Sequence, residues 1–211
     1  MPFSNLINIA MSSGGILFIM PLLFLVTLTV SLERVWFLAR LKETGRRVIK
    51  RVEALKHLDM QELNNLLRSV HRQPLASVLR VPLNFPELRD HVRLADRLEE
   101  AILLEVPRMD RSLWLLDTAV TLSPLLGLLG TIIGMFNSFQ VLGQPGTAPT
   151  QITGGIAEAL VATASGLLVA IVGLIFLNAL QTRVRLLVHD METLKTMLIN
   201  RLDGSDDGAR K

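Results

Sequence analysis

Residues 112 to 182 hold two ionisable side chains, Asp117 and Glu158, in a stretch otherwise built from apolar and uncharged residues. That stretch is long enough to cross a bilayer twice, since about 20 predominantly apolar residues suffice for one crossing. Glu158 lies inside the run GGIAEALVATASGLLVAIVGLIFLNAL, which contains no Lys, Arg or His to pair with it. An acidic side chain at the centre of a membrane helix costs about 2.5–3.5 kcal/mol on insertion scales. A carboxyl placed there is by default a candidate functional group, and the usual tasks are proton or ion handling.

Half of the residues are hydrophobic, which is high for a soluble domain and suits a small multi-spanning membrane protein. The 22 Lys and Arg fall in two blocks, 34–111 and 183–211. Acidic residues interleave with the first block and it adjoins apolar spans, so no nucleic-acid partner is expected. The chain has no Cys, which removes disulfides, thiolate metal sites and Cys nucleophiles. Its four His lie in the polar segments without a HExxH pattern. Neither a metal site nor a cofactor is expected, and no enzyme activity.

Three apolar stretches read as membrane helices, roughly Gly14 to Leu32, Leu113 to Leu142 and Ile152 to Leu180. The first has no positive charge ahead of it and Arg34, Arg40, Lys42, Arg46 and Arg47 behind it. That order is opposite to a cleavable signal peptide and predicts an uncleaved anchor with its N-terminus outside. The second is longer than a ~30 Å hydrocarbon core at ~1.5 Å per residue, so its first part is expected to project on the cytoplasmic side, with Asp117 near the headgroups. Residues 143 to 150, GQPGTAPT, carry no charge and read as a short external turn.

The positive-inside rule then gives one topology. Residues 1–38 form an external N-terminus and the first transmembrane helix, and 39–112 a cytoplasmic helical insert. Residues 113–142 form the second transmembrane helix, 143–151 a short periplasmic loop, 152–182 the third transmembrane helix, and 183–211 a cytoplasmic tail. The expected fold is an all-α membrane protein whose long helices extend into the cytoplasm. In the insert, Asp59 and Glu62 resemble a capping box opening a helix through Leu67. Pro74, Pro82 and Pro86 should break the middle. From Glu87, the spacing of Val92, Ala95, Leu98, Ile102 and Val106 predicts an amphipathic helix, with a kink at Pro107. The tail DGSDDGARK is expected to be disordered.

Lipid gives little hydrophobic drive for helix association, so membrane helices pack through small residues. The third span offers Ala159, Thr163, Gly166, Ala170 and Gly173 at spacings of three and four. The second offers Gly127, Gly130, Gly134 and Ser138. Thr131 and Thr163 are hydroxyls in apolar surroundings. A membrane-helix Thr most often bonds back to a carbonyl one turn earlier, but either residue could also line a pore.

LSPLLGLLGTIIGMFNSF (122–139) followed by GGIAEALVATASGLLVAI (154–171) resembles the paired signature of the MotA/TolQ/ExbB proton-channel family, and ExbB-type proteins most closely. The two motifs cover about a third of the chain, and the order of spans agrees over nearly all of it. Three spans rather than four favour the ExbB/TolQ branch. The resemblance implies a bacterial inner-membrane ring of identical subunits, a pentamer, enclosing the transmembrane helices of single-span ExbD-like partners. It further implies coupling of inward proton flow to a TonB-like protein that energises outer-membrane transport. By motif position Glu158 matches the family's pore glutamate, and Thr131 and Thr163 its pore threonines. The resemblance assigns nothing to Asp117. Two alternatives stand beside this reading: a TolQ-like subunit of the Tol-Pal envelope system, and a passive oligomeric membrane scaffold in which Glu158 only fixes assembly.

Overall fold

The computed structural model describes residues 15–55, 57–70, 73–86, 90–142 and 149–202. Among them every regular element is a helix: α1 Ile16–Ala54, α2 Met60–Val70, α3 Leu75–Asn84, α4 His91–Asp110, α5 Leu113–Leu142 and α6 Pro149–Leu202. The external turn expected at 143–150 lies mostly, and the tail from 203 wholly, outside the described residues. α1, α5 and α6 are each long and apolar enough to cross a membrane. α1 and α6 run well past their apolar stretches as unbroken helix and contribute to both of two compact units.

The first unit comprises the described residues up to Glu33 together with Ser112–Ala179. Its outward surface is a field of Leu, Ile and Phe, with Leu22, Leu25, Leu125, Phe136, Leu160 and Ile175 all exposed. An apolar surface this extensive is far larger than a soluble monomer carries and matches a lipid environment. The inner contacts use small residues. On α5, Ala119, Ser123, Gly127, Gly130, Gly134 and Ser138 are buried. On α6 the buried row is Ala159, Ala162, Gly166, Val169 and Gly173. Steps of three and four keep each row on one helix face.

The second unit comprises Arg34–Arg111 with the described residues from Leu180. Here the same spacing is filled by larger side chains. Leu38, Leu41, Val48 and Val52 of α1 are buried, as are Leu180, Val184, Leu187, Met191, Leu194 and Leu198 of α6. The Arg201 guanidinium donates to the main-chain carbonyls of Val52 and Glu53, in the last turn of α1. Carbonyls of the last turn lose their i+4 donors; Val52 O also accepts from the Leu55 N–H at 3.1 Å, and a cation there complements the helix dipole.

Three expectations for the insert need correction. Pro82 does not break a helix, because α3 runs through it to Asn84; Pro74 and Pro86 bracket α3 instead. α4 starts at His91, capped by the Asp90 carboxylate accepting from the Val92 N–H at 3.0 Å, and continues through Pro107 to Asp110. Its buried face is Leu94, Leu98, Ile102, Glu105 and Met109, while Val92 is 68% exposed. Glu105 is tolerated there because Arg108 pairs with it at 2.7 Å, and Val106, one residue further round the helix, is only half-buried. The capping-box region does open a helix, with the Leu63 N–H donating to Asp59 O at 2.9 Å, and that helix ends at Val70 rather than Leu67. Ser112 separates α4 from α5 with φ 79°, a left-handed conformation that no helix can continue through.

Candidate functional site

α5 and α6 run antiparallel in direct contact. A Cβ added at Gly134 would lie 2.7 Å from that of Ala159, and one at Gly130 would lie 2.8 Å from that of Ala162. At Gly127 it would meet Ala162 O and Thr163 Cα, both at 3.0 Å. At Gly166 it would strike the Ser123 carbonyl oxygen, and at Gly173 it would lie 2.8 Å from Val120. On the glycine side of each rung even a methyl would press on the neighbouring helix. Small residues let two backbones come this close, and close approach is what holds helices together in lipid.

Close approach also creates a polar contact. Thr163 donates its hydroxyl to Gly127 O on the neighbouring helix at 2.9 Å. Thr131 behaves as a membrane Thr usually does, donating to Leu128 O within its own helix at 2.7 Å, and is 6% exposed. The two threonines are therefore engaged differently, a distinction that their residue type does not reveal.

Glu158 is half-buried and sits next to Ala159 at the edge of the packed row. Five residues separate it from Thr163, which is about 140° around a helix of 3.6 residues per turn. Within one subunit, Glu158 and Thr163 thus flank the row on opposite sides. Gly127, Gly130, Gly134, Ala159 and Gly166 lie in the contact itself. Ala170 is half-buried at its edge, and Val169 is buried in the row.

Two participants escape the sequence reading. Ala162 is fully buried against Gly130 and Gly127, and its signal is another small residue three positions after Ala159. Thr27 of α1 is 1% exposed, lies beside Gly173 and, among the described residues, has no hydrogen-bond partner for its hydroxyl oxygen. A buried hydroxyl left unbonded costs about 1–3 kcal/mol, and an apolar stretch gives no sign of which Thr will be enclosed.

In the second unit, Asp190 faces α1 next to Gly45. Burial pushes its carboxyl above the ordinary 3.8, while His189, Arg46 and Lys42 pull in the opposite direction. Among the described residues, no group of His, Asp and Glu side chains is arranged to hold a metal ion.

Residues 64–193 match the profile of a family described as the MotA/TolQ/ExbB proton channel family. Two Synechocystis proteins named as biopolymer transport proteins resemble the chain over most of its length. ExbB-like 1 is 32% identical across 83% of this chain and 70% of its own. ExbB-like 3 is 35% identical across 81% of this chain and 82% of its own. The Tol-Pal system protein TolQ of Pseudomonas aeruginosa is 37% identical across 54% of this chain and 52% of its own.

Proposed function

The chain belongs to the MotA/TolQ/ExbB proton channel family, and from that premise we propose that it is an ExbB-like subunit of an inner-membrane proton-driven motor. Copies of the chain form a ring, a pentamer, around the membrane helices of single-span ExbD-like partners. Proton flow through that assembly drives a TonB-like protein that energises outer-membrane transport. The N-terminus is periplasmic, and the insert and C-terminus are cytoplasmic.

The observation that carries this reading is the place of Glu158. It is half-buried beside a row of small residues, on a helix whose next charged residue is Arg183. A carboxyl in such a setting can carry a proton, and a neutral isostere cannot. Thr131 and Thr163 supply hydroxyl oxygens on the same helix pair. In a ring, Glu158 can face a central space while the Leu and Ile rows face lipid.

The resemblance to TolQ supports a second reading, in which the same channel serves the Tol-Pal envelope system. Replacing Glu158 by Gln tests the proton role in either case. The variant should insert and assemble normally and fail to support energised uptake in the first reading, or envelope integrity in the second. Normal function with Glu158→Gln would leave only a passive scaffold.

A further inference from the structure

The apolar part of the chain contains a second carboxyl for which the function above has no task. Asp117 is exposed on α5, beyond the first turn, where the helix dipole no longer favours an acid appreciably. Asp117, Pro124, Thr131 and Ser138 follow one another at seven-residue intervals, and a heptad returns to within about 20° of the same line. Asp117 therefore lies about 40° around α5 from the buried Thr131, on its exposed side.

Two exposed threonines, Thr118 and Thr121, lie near it on the helix. Thr121, also exposed, donates to the carbonyls of Asp117 at 2.9 Å and Thr118 at 3.1 Å, and Thr118 donates to Trp114 O at 2.7 Å. Each hydroxyl proton is committed to the backbone, so the oxygens remain as acceptors for water. Beyond this patch the exposed face turns to Leu122, Leu125 and Leu128. The antiparallel register pairs Val120 with Gly173 and Gly134 with Ala159. Asp117 is then level with residues near 176, about 27 Å along the axis from Glu158 at ~1.5 Å per residue. That is close to the ~30 Å thickness of a hydrocarbon core.

We propose that Asp117 is the inner proton acceptor of the pathway that Glu158 serves, an inference that rests on the proton-channel reading above. Glu158 releases its proton to water held in the ring. The hydrated proton reaches the Asp117 carboxylate and forms an O–H bond. It then leaves to bulk water on the side of the basic block, which restores the carboxylate. O–H bonds alone form and break, and no electrons are transferred.

The test measures proton flux in vesicles carrying the complete assembly, with subunit content followed by native mass spectrometry. Asp117→Asn should assemble normally and lower flux about tenfold or more, and Asp117→Glu should restore most of it. Wild-type flux in Asp117→Asn, beside a dead Glu158→Gln, would overturn this proposal alone. Wild-type flux in Glu158→Gln would overturn the channel reading itself. Should Asn impair assembly, Asp117→Gln against Asp117→Glu decides, and equal flux in the two overturns the role. Failure of every neutral variant to assemble would make Asp117 a structural anchor and also overturn it.

Discussion

The hydroxyl of Thr163 on α6 is bonded to the main-chain carbonyl of Gly127 on α5, 2.9 Å away, because no side chain stands between the two helices. A candidate pore residue is thus also a structural tie. Interhelical hydrogen bonds of this kind contribute about 0.6 kcal/mol on average in a membrane protein. Thr163→Val, which removes the bond and keeps the shape, should lower thermal stability only slightly. A loss of proton flux much larger than that, recovered by Thr163→Ser, is expected if the hydroxyl serves the pathway. Flux that tracks stability across both variants would reduce Thr163 to its packing role.

Gly166 and Gly154 make a matched pair. A methyl at 166 would collide with the Ser123 carbonyl oxygen, a backbone atom that cannot turn aside, whereas a methyl at 154 meets nothing within 4 Å. Overpacking costs about 1–3 kcal/mol where neighbours can adjust, and more where they are backbone. Gly166→Ala should therefore reduce the amount of folded protein in the membrane, and Gly154→Ala should leave it unchanged. Comparable yields would show that the contact is looser than described.

The N-out topology can be read with single Cys residues in this Cys-free chain. An impermeant thiol reagent applied outside should label Cys at Thr147 and spare Cys at Arg68 and Ser205. Arg68 suits the purpose because it is exposed in the insert. Labelling at 68 or 205 without labelling at 147 would reverse the assignment.

A cyclic oligomer is expected in mild detergent. A lone subunit would leave the half-buried Glu158 carboxyl at lipid depth without the shelter of a ring. Native mass spectrometry should show a pentamer that retains a single-span partner on co-expression. A monomer persisting across detergents, with no partner bound, would contradict the ring.

Asp190 predicts a pH dependence for the second unit. Its folded-state value is raised, so the folded chain holds the Asp190 proton more tightly than the unfolded chain does. The resulting stability is fully present below the unfolded value of 3.8 and is lost as pH rises through the folded value. Asp190→Asn should raise the melting temperature at neutral pH, and the difference should shrink toward pH 3.8. A lower melting temperature at neutral pH would mean that attraction to Lys42 and Arg46 outweighs burial.

The three apolar helices and the small-residue rows of α5 and α6 were legible because lipid imposes length on the first and close packing on the second. The face of α4 was harder to read. Counting apolar residues favoured Val92 and Val106, but the native face admits Glu105 through its pairing with Arg108, which a hydrophobic pattern cannot express. The run of helix through Pro82 was missed because a proline is read as a breaker, whereas here it costs one bond, to the Val78 carbonyl, and its ring is buried on the apolar face of α3. The Thr163–Gly127 bond depends on the antiparallel register of two helices, and no local pattern carries that register.

That register also restricts how the sequence can drift. Three rungs join a small residue on α5 to a small residue on α6: Gly134 with Ala159, Gly130 with Ala162, Gly127 with Thr163. A larger residue on one side is acceptable only when its opposite number shrinks. Such positions should change in pairs among descendants of a common ancestor, while the lipid-facing Leu125 and Ile175 exchange freely with other apolar residues. The two helices would then be inherited as a single unit of variation.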